Sequence, residues 1–292
     1  MIGRRLRLAA VGIVAAAGVV LLLGPGGPRP ELDAAARRLV VDAADAADSS
    51  LSDLAASLAP AVEAGRAGSA RAIAGDEAPG PKLVEAAELT RAAEGAAADA
   101  RRALVALERA QHAANPKAPP IETVTAAGDL ESIASQLDAS ADAADEFAAM
   151  RERAASVVAE LDGALVALDD GDLDDARGHV TQARDAHTAV AEWDVGLVTL
   201  PVWIDTTDAM ITAVEDIITA TERGDPAAAA RAADAFTALA PDGATADRAL
   251  RIAIGEGGSA VAAVPLERLA AILAAVDDAR ITVASARSAA AP

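Results

Sequence analysis

Asp169, Asp170, Asp172, Asp174 and Asp175 form the densest set of metal-type ligands in this sequence. Asp170-x-Asp172-x-Asp174 matches the first three ligand positions of a calcium loop, whose alternation brings oxygens to one centre. The remainder departs from that pattern. Asp175 stands where the loop needs glycine for its sharp turn, and Thr181 where it needs a bidentate glutamate. The same carboxylates suit a helix start, where an aspartate accepts from free backbone N–H groups and the helix dipole favours further acids. A cap is expected here, and no metal.

His112, His179 and His187 are the histidines. Asp175, His179 and His187 share a helical face at spacings of four and eight. Zinc needs three or four ligands, and no HExxH or clustered partner supplies them. His187 continues the stripe of Leu173 and Val180 and reads as a packed core histidine, while His112 lies at a helix C-terminus, where a cation is favoured. Nucleophilic catalysis has no support: there is no cysteine and no GxSxG, and serines such as Ser49 and Ser50 lie in helices without a nearby histidine. Gly255-Glu256-Gly257-Gly258-Ser259 follows a helical segment rather than a strand and lacks lysine, so it reads as a loop and not a phosphate cradle. The chain is therefore expected not to be an enzyme and to use no cofactor.

Trp193 and Trp203 flank Asp194–Val202, the most apolar segment without helical periodicity. With Leu200 and Pro201 they suit either a partner-binding patch, since tryptophan is enriched at interface hot spots, or a plug where two helical layers meet. Leu197, Val198, Leu200 and Ile204 favour a buried crossover, and the core joint is the expectation.

Helices must position these groups. Apolar residues make up 53% of the 292, much of it alanine, against 1% aromatic. Alanine has the highest helix propensity and little surface to bury, so long, thin, closely packed helices are expected. The fold class is all-α. A net charge of −20 and a pI near 4.4 disfavour nucleic acid and anionic headgroups as partners of the main domain. With no cysteine there are no disulfides.

The N-terminus decides the compartment. Arg4, Arg5 and Arg7 precede an uncharged run, Leu8–Gly27, and Pro25–Pro30 would break any helix. About 20 helical residues just cross a ~30 Å hydrocarbon core. The run is slightly longer than the ~7–15 residues of a signal h-region and lacks a well-placed small-x-small site. An uncleaved signal-anchor over 8–27 is expected, with residues 1–7 cytoplasmic and the bulk outside; secretion after cleavage is the alternative. The arginines before the run set that orientation.

Helical periodicity then predicts a first helix over Glu31–Ala64, a flexible linker over 65–81 from Gly65, Gly68, Gly75 and Pro79-Gly80-Pro81, and a bundle domain over 82–292. The bundle opens with a helix over Lys82–Ala114. From Leu130 to Leu168 a heptad stripe, opened by Gly128-Asp129, predicts a long helix packed in coiled-coil fashion. Arg151 is its one charge, set to pair with a carboxylate or to snorkel. Gly171-Asp172 and Gly224-Asp225-Pro226 read as hairpin turns: glycine suits the left-handed position after one helix, aspartate caps the next, and proline fits its first turn. Further helices are predicted over Leu173–Trp193, Asp205–Arg223, Ala227–Ala240, Thr245–Ile254 and Pro265–Ser288.

The turn Leu168-Asp169-Asp170-Gly171-Asp172-Leu173, continuing through Ala183-Arg184-Asp185-Ala186 to Trp193 and Leu200-Pro201-Val202-Trp203, resembles the helical domain of uncharacterised membrane-anchored envelope proteins of high-GC bacteria. The likeness covers about residues 158–220. In that family the segment lies close to the membrane helix and precedes a larger domain, whereas here over a hundred residues intervene. The resemblance implies helical hairpins in the envelope and no activity. The expected function is an extracytoplasmic scaffold or protein-interaction module of the cell envelope, with the membrane and an envelope protein as partners and a homo-oligomer as a further option. The alternative is a ligand-binding sensor ectodomain that acts through a partner.

Overall fold

Alanine-rich stretches of this length fold into rods. The computed structural model describes residues 34–121, 127–193 and 195–291. Among these the protein is all-α, with eight helices and no strand. They are α1 (Ala34–Ala74), α2 (Gly80–Ala92), α3 (Glu94–Ala114), α4 (Ala127–Asp170), α5 (Leu173–Ala191), α6 (Leu200–Glu222), α7 (Pro226–Ala260) and α8 (Ala263–Ala290). The expected membrane span over 8–27 and the first residues of the expected Glu31 helix lie outside the described residues. Within them, no single helix is long and apolar enough to cross a membrane.

α2 and α3 are separated only by Ala93, whose φ and ψ are themselves helical. α7 and α8 bend by 44° and continue in one direction. The eight helices therefore act as six rods running alternately up and down. Ion pairs fix the registers: Asp48–Arg280 and Asp45–Arg287, both at 3.0 Å, set α1 against α8. Gly80 N to Asp145 Oδ1 at 2.8 Å and the Arg91–Asp138 pair set α2 against α4. Arg184 forks onto both oxygens of Glu215 at 2.9 Å and reaches Asp208 at 3.0 Å, tying α5 to α6. Those two carboxylates push the guanidinium pKa further up.

Two cores result. One is built from α1, α2, α3, the first half of α4 and α8, with Leu51, Leu54, Leu58, Leu104, Ile133 and Leu137 fully buried. The other joins the second half of α4 to α5, α6 and α7 around Leu161, Trp203, Ile211 and Leu250. α4 contributes to both, as does the continuous α7–α8 rod. At ~1.5 Å per residue α4 is about 65 Å long, the length of two stacked bundles.

Turn chemistry behaves as the residue types dictate. Gly171 and Gly224 have φ of +78° and +63°, a conformation only glycine adopts without strain. Asp172 and Asp225 follow as N-caps, accepting from Asp175 N at 3.0 Å and Ala228 N at 2.9 Å.

Glycine and proline elsewhere do not break the chain where their types suggest. The linker expected over 65–81 is helical through Ala74 and again from Gly80, leaving a short connector. Gly65 and Gly68 are buried against Leu266 and Leu83, so they serve close packing and not flexibility. The helix expected over Lys82–Ala114 is divided at Ala93. The two helices expected over Ala227–Ala240 and Thr245–Ile254 are one, α7, which passes through Pro241 and the glycine-rich stretch expected to be a loop. Tertiary burial of Gly243, Ala246, Leu250, Ile254, Gly255 and Gly258 outweighs the local cost of proline and glycine. In α4 the heptad stripe is buried from Leu130 to Ala144, but beyond Met150 the buried positions become Ala154, Val157, Leu161, Ala164 and Ala167. The face shifts because α4 meets different neighbours in the two bundles.

Candidate functional site

The two bundles meet at one level of the molecule. There α1 ends, α2 begins, α5 ends and α6 begins, while α4 and α7 pass through. α4 presents Phe147 and Arg151 at this level, and α7 presents Arg251, Gly255, Gly257 and Gly258. A cleft of about 280 Å³ opens between them, lined by Phe147, Ile254 and alanines together with Arg71, Asp76, Glu77, Arg151, Glu152 and Arg251.

Arg151 is the charge within the heptad stripe. Among the described residues it pairs with no carboxylate; its Nη1 instead donates to Ile73 O at 3.0 Å and Ala72 O at 3.4 Å. These carbonyls belong to the last turn of α1, which has no intrahelical donors for them, and a cation there also opposes the dipole. The guanidinium lies where a Cβ at Gly75 would project. Arg71 pairs with Glu77 across the same turn. Arg251 Nε lies 2.8 Å from Asp247 Oδ2, at an angle outside hydrogen-bond geometry. The cationic wall is thus largely taken up by the protein's own acceptors, and three carboxylates balance its three arginines.

The tryptophan connector lies behind this cleft, on the other side of Phe147. The Phe147 and Trp193 rings meet edge to face with centroids 4.9 Å apart. Trp193 is 7% exposed and its Nε1 donates to Glu146 Oε1 at 3.2 Å. Trp203 is fully buried and stacks on His187 at 5.5 Å, while His187 Nε2 lies 3.1 Å from Ile204 O. Leu200 is buried at the start of α6, with Pro201 in the first turn of the helix and exposed. The structure thus brings Trp193, Leu200 and Trp203 into the second core and ties them to α4 and α5. Val198, expected in the buried crossover, is 91% exposed instead, and Val202 is 60% exposed. The connector turns outward at Gly196, whose φ is +66°, and presents those valines to solvent.

Of the remaining candidates, the Asp169–Asp175 cluster forms the α4–α5 turn and its cap. Among the described residues no group of three or more His, Cys, Asp or Glu side chains converges as a metal site. His112 lies exposed near the end of α3. His179 does not join His187 but bridges α5 to α4: its Nδ1 is 2.7 Å from Glu160 Oε2, and its Nε2 is 3.7 Å from Asp175 Oδ2. The hydrogen bond to Glu160, then the charges of Asp175 and Glu160, raise its pKa above the ordinary 6.5. Because the folded pKa exceeds the unfolded one, the resulting stability is complete below the unfolded value and is lost as pH rises through the folded value. The melting temperature should therefore fall as pH is raised from about 6 to about 8. His179→Gln should flatten that slope; an equal slope in the variant would show that another group carries it.

Arg151 as the cap of α1 and the glycines of α7 were not assigned these roles from sequence. The spacing of Gly255 and Gly258 was the available signal, since residues three apart share a helix face and let backbones approach. Comparison of the chain with protein-family models, curated proteins and solved structures finds no match.

Proposed function

We propose that this protein is a non-catalytic helical scaffold of the cell envelope, anchored by residues 8–27 with its bulk outside the cytoplasm, and that it binds or spaces an envelope protein. The observation that carries this reading is the sharing of α4 and the α7–α8 rod between two cores. α4 is unbroken through both bundles, so it resists bending at the joint and transmits position along the body, which a spacer needs. Internal pairing of the cleft arginines agrees with a structural joint. The basic start before an apolar run supports the anchor, and the resemblance over about 158–220 supports the envelope.

The cleft itself favours a second reading, a sensor ectodomain that takes a small ligand between Phe147 and the arginines. The two readings separate in a pull-down from solubilised envelope with the full chain as bait. The scaffold reading expects a stoichiometric protein partner that persists in Arg71→Ala. The sensor reading expects capture that this substitution or a depleted small-molecule fraction abolishes. Protease added to spheroplasts should degrade the chain beyond residue 31; full protection would overturn the orientation.

A further inference from the structure

We infer that the exposed tip of the tryptophan connector, Val195 to Val202, is where the envelope partner docks, and that the partner meets it with an apolar surface edged by arginine or lysine. This inference rests on the scaffold reading above, which supplies the partner. The connector is divided between two roles. Trp193 and Leu200 are buried in the second core. Between them the chain turns at Gly196, and Leu200 N donates to Leu197 O at 3.1 Å. Both ends of the tip are thus held, and its side chains are arranged before any partner arrives, which lowers the cost of binding. Val195, Val198 and Val202 are exposed, with Pro201 beside them. Ten large apolar side chains are exposed among the described residues; seven are spread over five helices, whereas these three fall within eight positions. Single exposed apolar groups are ordinary, and a cluster of them marks a contact surface.

Charge decides what can cover that tip. Between Arg184 and Arg223 the sequence has eight carboxylates and no lysine or arginine. The part of α4 packed against the connector is alike: Trp193 donates to Glu146, and no lysine or arginine lies between Lys117 and Arg151. Glu192 and Asp205, exposed on either side of the tip, form no ion pair among the described residues. On the neighbouring turns of α4, α5 and α7, most cations are already engaged. Arg184 is held by Glu215 and Asp208, Arg151 by the end of α1, and Arg251 lies beside Asp247. Arg153 and Arg248 remain. Glu146, Asp142 one turn before it, Glu192 and Asp205 outnumber those two. The surroundings of the tip are acidic. A second copy would bring the same carboxylates, and an anionic bilayer would bring more negative charge, so both are repelled. A partner whose apolar patch is rimmed by lysine or arginine suits the valines and the carboxylates together. Opposite charge steers the encounter, and burial of the valines holds the complex.

The probe is a dye-labelled amphipathic helix of leucine and lysine, with a leucine–glutamate helix as its counterpart, titrated against the full chain in detergent. The lysine helix should bind and the glutamate helix should not. Val198→Ser together with Val202→Ser should raise the dissociation constant roughly tenfold or more, since burying one valine is worth about that factor. Circular dichroism and melting temperature should stay as they are, because both side chains are exposed. Glu192→Gln with Asp205→Asn should also weaken binding at ~0.15 M ionic strength, but not at ~1 M, where the screening length is ~3 Å. Asp169→Asn with Asp170→Asn, at the distant α4–α5 turn, should leave the constant unchanged. An affinity that ignores the valine pair, or follows the distant carboxylates equally, overturns the docking point. Equal binding of the glutamate helix overturns the charge assigned to the partner. Dimerisation of the chain in sedimentation, abolished by the valine pair, would give the tip to a second copy and overturn the inference too. In the envelope pull-down, the valine variant should lose the partner. A partner retained by that variant overturns the docking and leaves the scaffold standing, whereas no partner for the unaltered chain overturns both.

Discussion

Trp203→Ala is expected to lower stability by ~3–5 kcal/mol, the cost of deleting a large buried aromatic and leaving a cavity. For a domain of this size that corresponds to a fall of roughly 6–20 °C in melting temperature. Trp203 is fully buried, stacks on His187 and belongs to the core shared by α4, α5, α6 and α7. Its indole N–H has no hydrogen-bond acceptor among the described residues, so Trp203→Phe loses volume but no polar pairing and should cost much less. Thermal unfolding of both variants tests the point. An unchanged melting temperature in Trp203→Ala together with loss of a bound partner would sink the core-joint reading and make the connector a recognition surface. If the connector does recognise a partner, Val198 and Val202 are the exposed groups to alter, because replacing them should leave folding intact.

The second large effect is expected at Gly255. A Cβ built there would meet Ala72 O at 3.1 Å, Ile73 O at 3.2 Å and Ile73 Cα at 3.3 Å. These are backbone atoms, which cannot rotate aside. Gly255→Leu adds four carbons against the end of α1, and overpacking of this kind costs ~1–3 kcal/mol or more. The gain in helix propensity on replacing glycine, at most ~1 kcal/mol, opposes it and is the smaller term. Gly178 supplies the opposite sign. It lies exposed inside α5 with nothing within 4 Å of a built Cβ, so Gly178→Ala should stabilise by ~0.8–1 kcal/mol. Denaturant midpoints for the two variants should therefore move in opposite directions. Movement in the same direction would mean that α7 and α1 are not in close contact at Gly255. The destabilised variant should also loosen the Arg151 cap, since the carbonyls that accept from Arg151 belong to the same turn of α1.

Local rules with a short physical reach were legible in the sequence. Gly171-Asp172 and Gly224-Asp225 form their left-handed turns and caps because the backbone conformation and the acceptor lie within a few residues of each other. The all-α class follows from alanine content and helical periodicity, and the length of α4 from its heptad stripe. His187 as a packed core histidine could be read from its place on the α5 stripe, whereas the pairing of His179 with Glu160 could not, because the partner lies on another helix.

Tertiary structure decided wherever one residue type serves two opposite ends. Glycine is the residue of loops and also of close helix packing, and only the presence of a neighbouring backbone distinguishes them. Gly65, Gly68, Gly255 and Gly258 are therefore helical and buried although their clusters read as linker and loop. Pro241 sits inside α7 for the same reason, since burial of the residues that follow it, from Gly243 to Gly258, outweighs a missing hydrogen bond. Arg151 gave no sign in sequence of its acceptors, which are backbone carbonyls some 78 residues away in the chain. Sequence by itself determined helices, their caps and the charge of each segment. Tertiary packing decided which glycines are contacts and which side of α4 is buried at each level.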